Sequence, residues 1–381
     1  MAFRLRRVRT RSPSVARALL SACRVTWPPV DLSPTDIDDF VDATRLHRIA
    51  PLAYVATRGV DEIIAARVRE DRDRAMNTAF KATLTLGSIK QAFDGLPWLT
   101  FKGLVLSMNH HPVPGLRTFT DIDVLIDPGT LREACERLRA AGWRLLDYDD
   151  MLSRDRPPGE MHWLSPLGLQ LDLHWSMINS AVRRDLFDIP TAELLSRRVT
   201  ATVGLTSVPT LSTEDTLVHI CLHAAQDGAS RLSQLVDAHW VAQSVTNWEP
   251  VTERAHQWRA SAQVWLVLHR AQAALDTPLP EGLSDSLAIS APLRGMLSAV
   301  DRFAPVAQVR QAHDLNRFTA RAVRASFWET LSVAGQHAAL GVADRVRHDA
   351  AADRSRIQAS DAAYDRFLRA VEASSQKWSD L

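Results

Sequence analysis

The chain has 381 residues, 46% apolar and 23% charged, and a formal net charge of +1. This is the make-up of a soluble globular protein of two or three domains, without the overall basic excess of a nucleic-acid binder. Its three cysteines, Cys23, Cys135 and Cys221, are far apart and odd in number, which argues against a disulfide framework or a zinc-thiolate site and for a reducing cytoplasm.

Residues 1–34 form a basic segment. Its first 24 residues hold seven Arg and no acid, read as a solvated helix face or a tail for an anionic partner. Arg interrupts any apolar run there, so it is not a secretory signal. Residues 35–95 read as helices. "IDDFVDATRLHRIAPLAYVATRG" has apolar residues at helical spacing up to a stop at Gly59, and a longer amphipathic helix follows.

The character changes over residues 96–210. "LPWLTFKG" starts at a proline break and runs into a short strand, and "LVLSMNHH" follows as a helix. "TFTDIDVLID" is a second strand, "PGTLREACERLRAAG" a capped helix, and "WRLLDYDD" a third strand. "EMHWLS" and "LGLQLDLHW" flank the turn "SPLG" and form a hairpin. Residues 211–381 read as a helical C-terminal domain. No run of 18 apolar residues occurs, so no membrane span is expected.

Candidate chemistry concentrates in the middle region. Asp121 and Asp123 are two apart on a strand, so their side chains share one face. Two adjacent like charges repel unless a cation lies between them. Mg²⁺ suits such a place, because it is held by one or two carboxylates together with substrate phosphates. Asp172 lies on the polar face of the later hairpin. If that hairpin pairs beside the Asp121 strand, three carboxylates converge and can hold two ions about 3.5–4 Å apart for in-line displacement at phosphorus. Lys102 and Gly103 sit where a strand gives way to a helix, so backbone and ammonium could approach a phosphate there. Arg117 adds a fork for phosphate oxygens.

These motifs resemble the nucleotidyltransferase (polymerase-β-like) superfamily, and within it a bacterial branch with an L-K-G element, then R-x-x-x-D-[IL]-D, then [ED]-[LIV]-H-W. Here they read "FKGLVL", "RTFTDIDVLI" and "LDLHW". Flanking helices resemble the branch as well, so the likeness spans about residues 40–245. It implies an α+β fold, a small mixed sheet between a helical N-terminal segment and a helical C-terminal domain. It implies Asp121, Asp123 and Asp172 as catalytic and metal-holding residues, with two Mg²⁺ ions or Mn²⁺ in their place. Lys102, Gly103, Arg117 and His174 would bind the nucleoside triphosphate donor. The superfamily usually has Gly-Ser where this chain has Lys102 and Gly103.

The expected activity is nucleotidyl transfer to a small-molecule or peptide acceptor. The near-zero net charge does not favour a long nucleic acid. The rival readings are a toxin-like enzyme modifying tRNA or protein, and a silent module of the same fold. Other residues read blandly. His162 is expected to be structural, and His110 and His111 to lie in a loop before "PVPG". His219 and His223 are four apart, but Ile220 stands where a zinc protease helix has its Glu. Arg231 and Asp237 read as helix-locking charges or as residues reaching the site.

Overall fold

The computed structural model describes residues 10–27, 32–146, 151–152, 157–309, 320, 323–324, 326–333 and 361–379. The Arg-rich stretch before residue 10 and the end of the expected third strand, residues 147–150, lie outside them.

Helices α1 (Pro13–Cys23) and α2 (Pro34–Leu46) each carry Pro in the first turn behind a serine cap. Ser12 and Ser33 accept hydrogen bonds from the N–H groups of Val15 and Asp36. Proline is tolerated there because its missing N–H has no helical partner to lose. The helical spacing that runs on to Gly59 is broken in the structure. Arg48 takes a left-handed φ of 56°, and α3 (Ala50–Thr57) starts afresh with Pro51 in its first turn. Inside a continuous helix Pro51 would clash with the preceding turn and remove a hydrogen bond. Asp61 then caps the long helix α4 (Glu62–Ala92).

The sheet region follows in the order β1 (Trp98–Phe101), α5 (Gly103–Asn109), β2 (Asp121–Ile126), α6 (Leu131–Ala140), β3 (Arg144–Leu145), β4 (Glu160–Leu164), β5 (Gln170–His174), α7 (Thr191–Ser196), β6 (Val199–Val203) and β7 (Thr206–Thr210). Five longer helices come next: α8 (Thr213–Gln226), α9 (Leu232–Gln243), α10 (Glu249–Gln257), α11 (Ser261–Leu275) and α12 (Ala291–Phe303). The last described element is α13 (Asp361–Ser379). The architecture is α+β, as the sequence suggested.

The seven strands run β3-β4-β5-β2-β1-β7-β6 across one mixed sheet. β2 is parallel to β5 and antiparallel to β1, β4 is antiparallel to β5, and β1 is parallel to β7. The expected hairpin is β4 and β5. A second hairpin, β6 and β7, escaped the sequence reading, although "VTATV" and "TSVPT" around Gly204 are rich in β-branched residues.

Strand alternation divides the core in two. Ile122, Val124, Ile126, Leu171 and Leu173 face a cluster with α6, the second half of α4 and α13. Leu99, Phe101 and Leu125 face the other way, into a cluster built jointly from α1–α3 and α8–α11. Helices from both ends of the chain therefore share one core against the same sheet face. On that face, the strands beyond Leu125 carry polar side chains, and there the candidate site lies.

Candidate active site

The site is assembled by strand register. Parallel pairing of β2 with β5 sets Asp121 opposite Gln170, Asp123 opposite Asp172, and Leu125 opposite His174. Antiparallel pairing of β4 with β5 sets His162 opposite Asp172 and Glu160 opposite His174. Paired residues share a face, so Asp121, Asp123, Asp172, His174, His162 and Glu160 project together.

Asp123 is the most enclosed of the carboxylates, 5% exposed. Its Oδ1 accepts from Lys102 Nζ at 2.8 Å and lies 3.2 Å from His174 Nε2. Burial alone would raise its pKa. The Lys102 ammonium and the His174 ring outweigh burial and hold it well below the ordinary carboxylate range. Lys102 reaches Asp123 through an unusual backbone. Phe101 is paired with Asp123 in the ladder, so the next residue of a regular strand would point to the opposite face. Lys102 instead takes φ 53° and ψ −135°, which brings its side chain back. A non-glycine residue held there costs about 1–3 kcal/mol, a strain that proteins concentrate at functional positions. Gly103 completes the turn. A Cβ at that position would stand 3.1 Å from the Asp121 carbonyl oxygen, so the turn approaches the start of β2 as closely as backbone allows.

His174 is wedged between two carboxylates. Nε2 faces Asp123, and Nδ1 lies 3.0 Å from Glu160 Oε2, near enough for an ion pair but off the line of a good hydrogen bond. Burial lowers its pKa, yet Asp123 and Glu160 push it up to about 9, so the imidazolium is the resident form at neutral pH. Glu160 in turn accepts from the Asn179 side-chain amide and lies 3.5 Å from His162 Nε2. Sequence reading passed over Glu160 and Asn179. Glu160 carried a usable signal, since it alternates with His162 on the polar side of β4.

Asp172 Oδ1 accepts from Gln170 Nε2 at 2.7 Å. Burial raises its pKa to about 6; the Gln170 hydrogen bond opposes this, and Asp121 and Asp123 add to it. Asp121, at the head of β2, is also raised, by burial and then by Asp123, beyond what Lys102 and Arg117 offset. Four carboxylates (Asp121, Asp123, Glu160 and Asp172) thus face two cations, Lys102 and protonated His174. The excess of two negative charges is what a divalent cation would neutralise.

The donor set fits such an ion. Asp123, Asp172 and His174 place one oxygen or nitrogen atom each within 4.8 Å of one another; the His174 nitrogen can ligate only after losing its proton, so at neutral pH the carboxylate oxygens are the donors. Asp121 is beside this trio rather than in it.

Arg117, expected to offer a fork for phosphate oxygens, is paired within the protein. Its guanidinium makes two 2.8 Å hydrogen bonds to Asp237 on α9, largely out of solvent. Asp237 therefore locks the approach to β2 against the helical layer, and its partner is Arg117 rather than Arg231. His219 and His223 stack on α8 with ring centroids 6.2 Å apart, and His219 meets Phe101 edge-on at 5.1 Å. Among the described residues they join no group of three metal ligands. His110 ends α5, and His111 Nδ1 lies 3.0 Å from the Val113 carbonyl, both in the connection to β2.

A family model described as an uncharacterised nucleotidyltransferase matches residues 33–276. The match takes in α2, the whole sheet, and the helices through α11. No curated protein matches the chain.

Proposed function

The chain belongs to this uncharacterised nucleotidyltransferase family, and from that premise we propose that it moves a nucleoside monophosphate from a nucleoside triphosphate to the hydroxyl of a small-molecule or peptide acceptor. The observation that carries the reading is the β2–β5 register, which brings Asp121, Asp123 and Asp172 onto one sheet face from segments about fifty residues apart.

The acceptor oxygen attacks the α-phosphorus. The bond from that phosphorus to the β-phosphate oxygen breaks, and pyrophosphate leaves. The acceptor proton passes to a carboxylate, and Asp172 suits this, since a pKa near neutrality makes an effective base. Asp123, held by Lys102 and His174, stays ionised and fixed in orientation. Asp121, Asp123 and Asp172 would hold Mg²⁺ or Mn²⁺, which when bound supplies charge neutralisation at the phosphates. Most of the catalysis then comes from placing charge in advance.

Buried thiols at Cys23, Cys135 and Cys221, none in a disulfide, support a cytoplasmic setting. Among the described residues no helix is long and apolar enough to cross a membrane.

The test is calorimetric titration of ATP, GTP, CTP and UTP with Mg²⁺ and with EDTA, followed by an acceptor search with label on the α-phosphate. We expect Mg²⁺-dependent binding of at least one triphosphate, lost in Asp121→Asn/Asp123→Asn. A folded wild-type protein that binds none of them refutes the reading.

A further inference from the structure

Nucleotidyl transfer needs cations for the triphosphate tail, and the two expected to serve are occupied. Lys102 is bonded to Asp123 and Arg117 to Asp237. A further source of positive charge lies on the helical segments near this region, at Arg48 and Arg231.

Arg48 and Arg231 come from opposite sides of the sheet region in sequence and are brought together by two hydrogen bonds at one residue. His47, at the end of α2, accepts from the Ser233 N–H through its carbonyl oxygen at 3.2 Å and from the Leu232 N–H through Nδ1 at 3.3 Å. These bonds fasten the corner that carries Arg48 to the start of α9, which Arg231 opens. Two turns along α9, Asp237 grips Arg117, four residues ahead of Asp121. The same helix is therefore fastened at its start to the end of α2 and at its middle to the approach to β2.

Arg48 is exposed and Arg231 half-buried, and neither pairs with a carboxylate among the described residues. They lie close enough to repel. The Arg48 pKa is lowered by partial burial and then by Arg231, with Arg117 adding to this and Asp121 and Asp227 opposing it. Arg48 also adopts a left-handed backbone, a conformation disfavoured for a side chain of its size. Two unpaired guanidiniums held side by side next to a carboxylate site form an unfavourable arrangement that a polyanion relieves, and guanidinium forks match phosphate oxygens well.

We propose that Arg48 and Arg231 form the subsite for the β- and γ-phosphates of the donor, a role that in this chain falls to the helical segments because Lys102 and Arg117 are bound to carboxylates. This assignment rests on the nucleotidyl-transfer reading.

The experiment measures binding of the four nucleoside triphosphates and of inorganic tripolyphosphate, with Mg²⁺, to the wild type, R48A/R231A, R48K/R231K and D121N/D123N, with a thermal melt of each. We expect R48A/R231A to melt like the wild type and to bind both triphosphate and tripolyphosphate at least tenfold more weakly. R48K/R231K should recover part of that loss, which a merely structural role for the arginines would not require. If R48A/R231A binds within twofold of the wild type while D121N/D123N loses binding, the subsite assignment is overturned and the nucleotidyl-transfer reading stands. If the wild type binds neither ligand, both fall.

Discussion

Two buried histidines flank the ring of Phe101 and behave in opposite ways. His174 reaches it from the sheet at 5.2 Å, and His219 from α8 at 5.1 Å. Burial pushes both pKa values down. His174 overcomes this through Asp123 and Glu160 and rises to about 9, whereas His219 has no hydrogen-bond partner at either nitrogen and falls well below 6.5. The ring contact is the same on both sides, so it does not set the charge. Carboxylates supplied by strand register do. The sheet face is built to hold charge, and the helical layer across from it is an apolar core that keeps its histidines neutral.

The largest effect is expected at the seam between these regions. Asp237→Ala leaves the Arg117 guanidinium largely buried and uncompensated, which should cost roughly 3–5 kcal/mol in denaturant unfolding. Removing both partners in Arg117→Met/Asp237→Leu should recover much of that. If Asp237→Ala unfolds like the wild type, the seam is not held by this pair.

The pH dependence of stability tests the comparison directly. His174 has a raised folded pKa, so its contribution is complete below about pH 6.5 and is lost as pH rises through about 9. At about 1.4 kcal/mol per pKa unit, this alkaline loss is of order 3 kcal/mol. His219 and His47 have lowered folded pKa values, the latter about 3. Their contribution is complete above about pH 6.5 and is lost as pH falls below it, because only the unfolded chain takes up the proton. Melting temperature measured from pH 4 to 10 should therefore fall on both limbs. His174→Gln should flatten the alkaline limb and His219→Leu part of the acid limb. Exchanged effects would show that the two regions had been assigned the wrong way round.

The smallest effect is expected at the turn that aims Lys102. Gly103→Ala brings a methyl to 3.1 Å from the Asp121 carbonyl, and the backbone must give by a few tenths of an ångström. A loss of about 1 kcal/mol in stability is expected. Triphosphate binding should weaken along with it, because the head of β2 carries Asp121.

Much of this was legible before the fold was known, for a local reason. Side chains alternate along a strand with period two, so Asp121 and Asp123 had to share a face, and Asp172 and His174 had to share another on the second arm of a hairpin marked by "SPLG". The β6–β7 hairpin had its own signal in β-branched residues. Arg48 had a weaker one, since Pro51 forces a break just after it.

The sequence by itself determined which acids stand on which strands, and that some cation must answer them. Local periodicity and Coulomb repulsion require no more than neighbouring residues. The tertiary structure alone decided that β2 and β5 lie side by side in a register matching Asp123 with Asp172, that Lys102 turns back onto Asp123, and that Arg117 is taken by a carboxylate 120 residues away. Choices between cationic partners depend on which charges are brought within a few ångströms and shielded from water, and only the packed chain sets those distances.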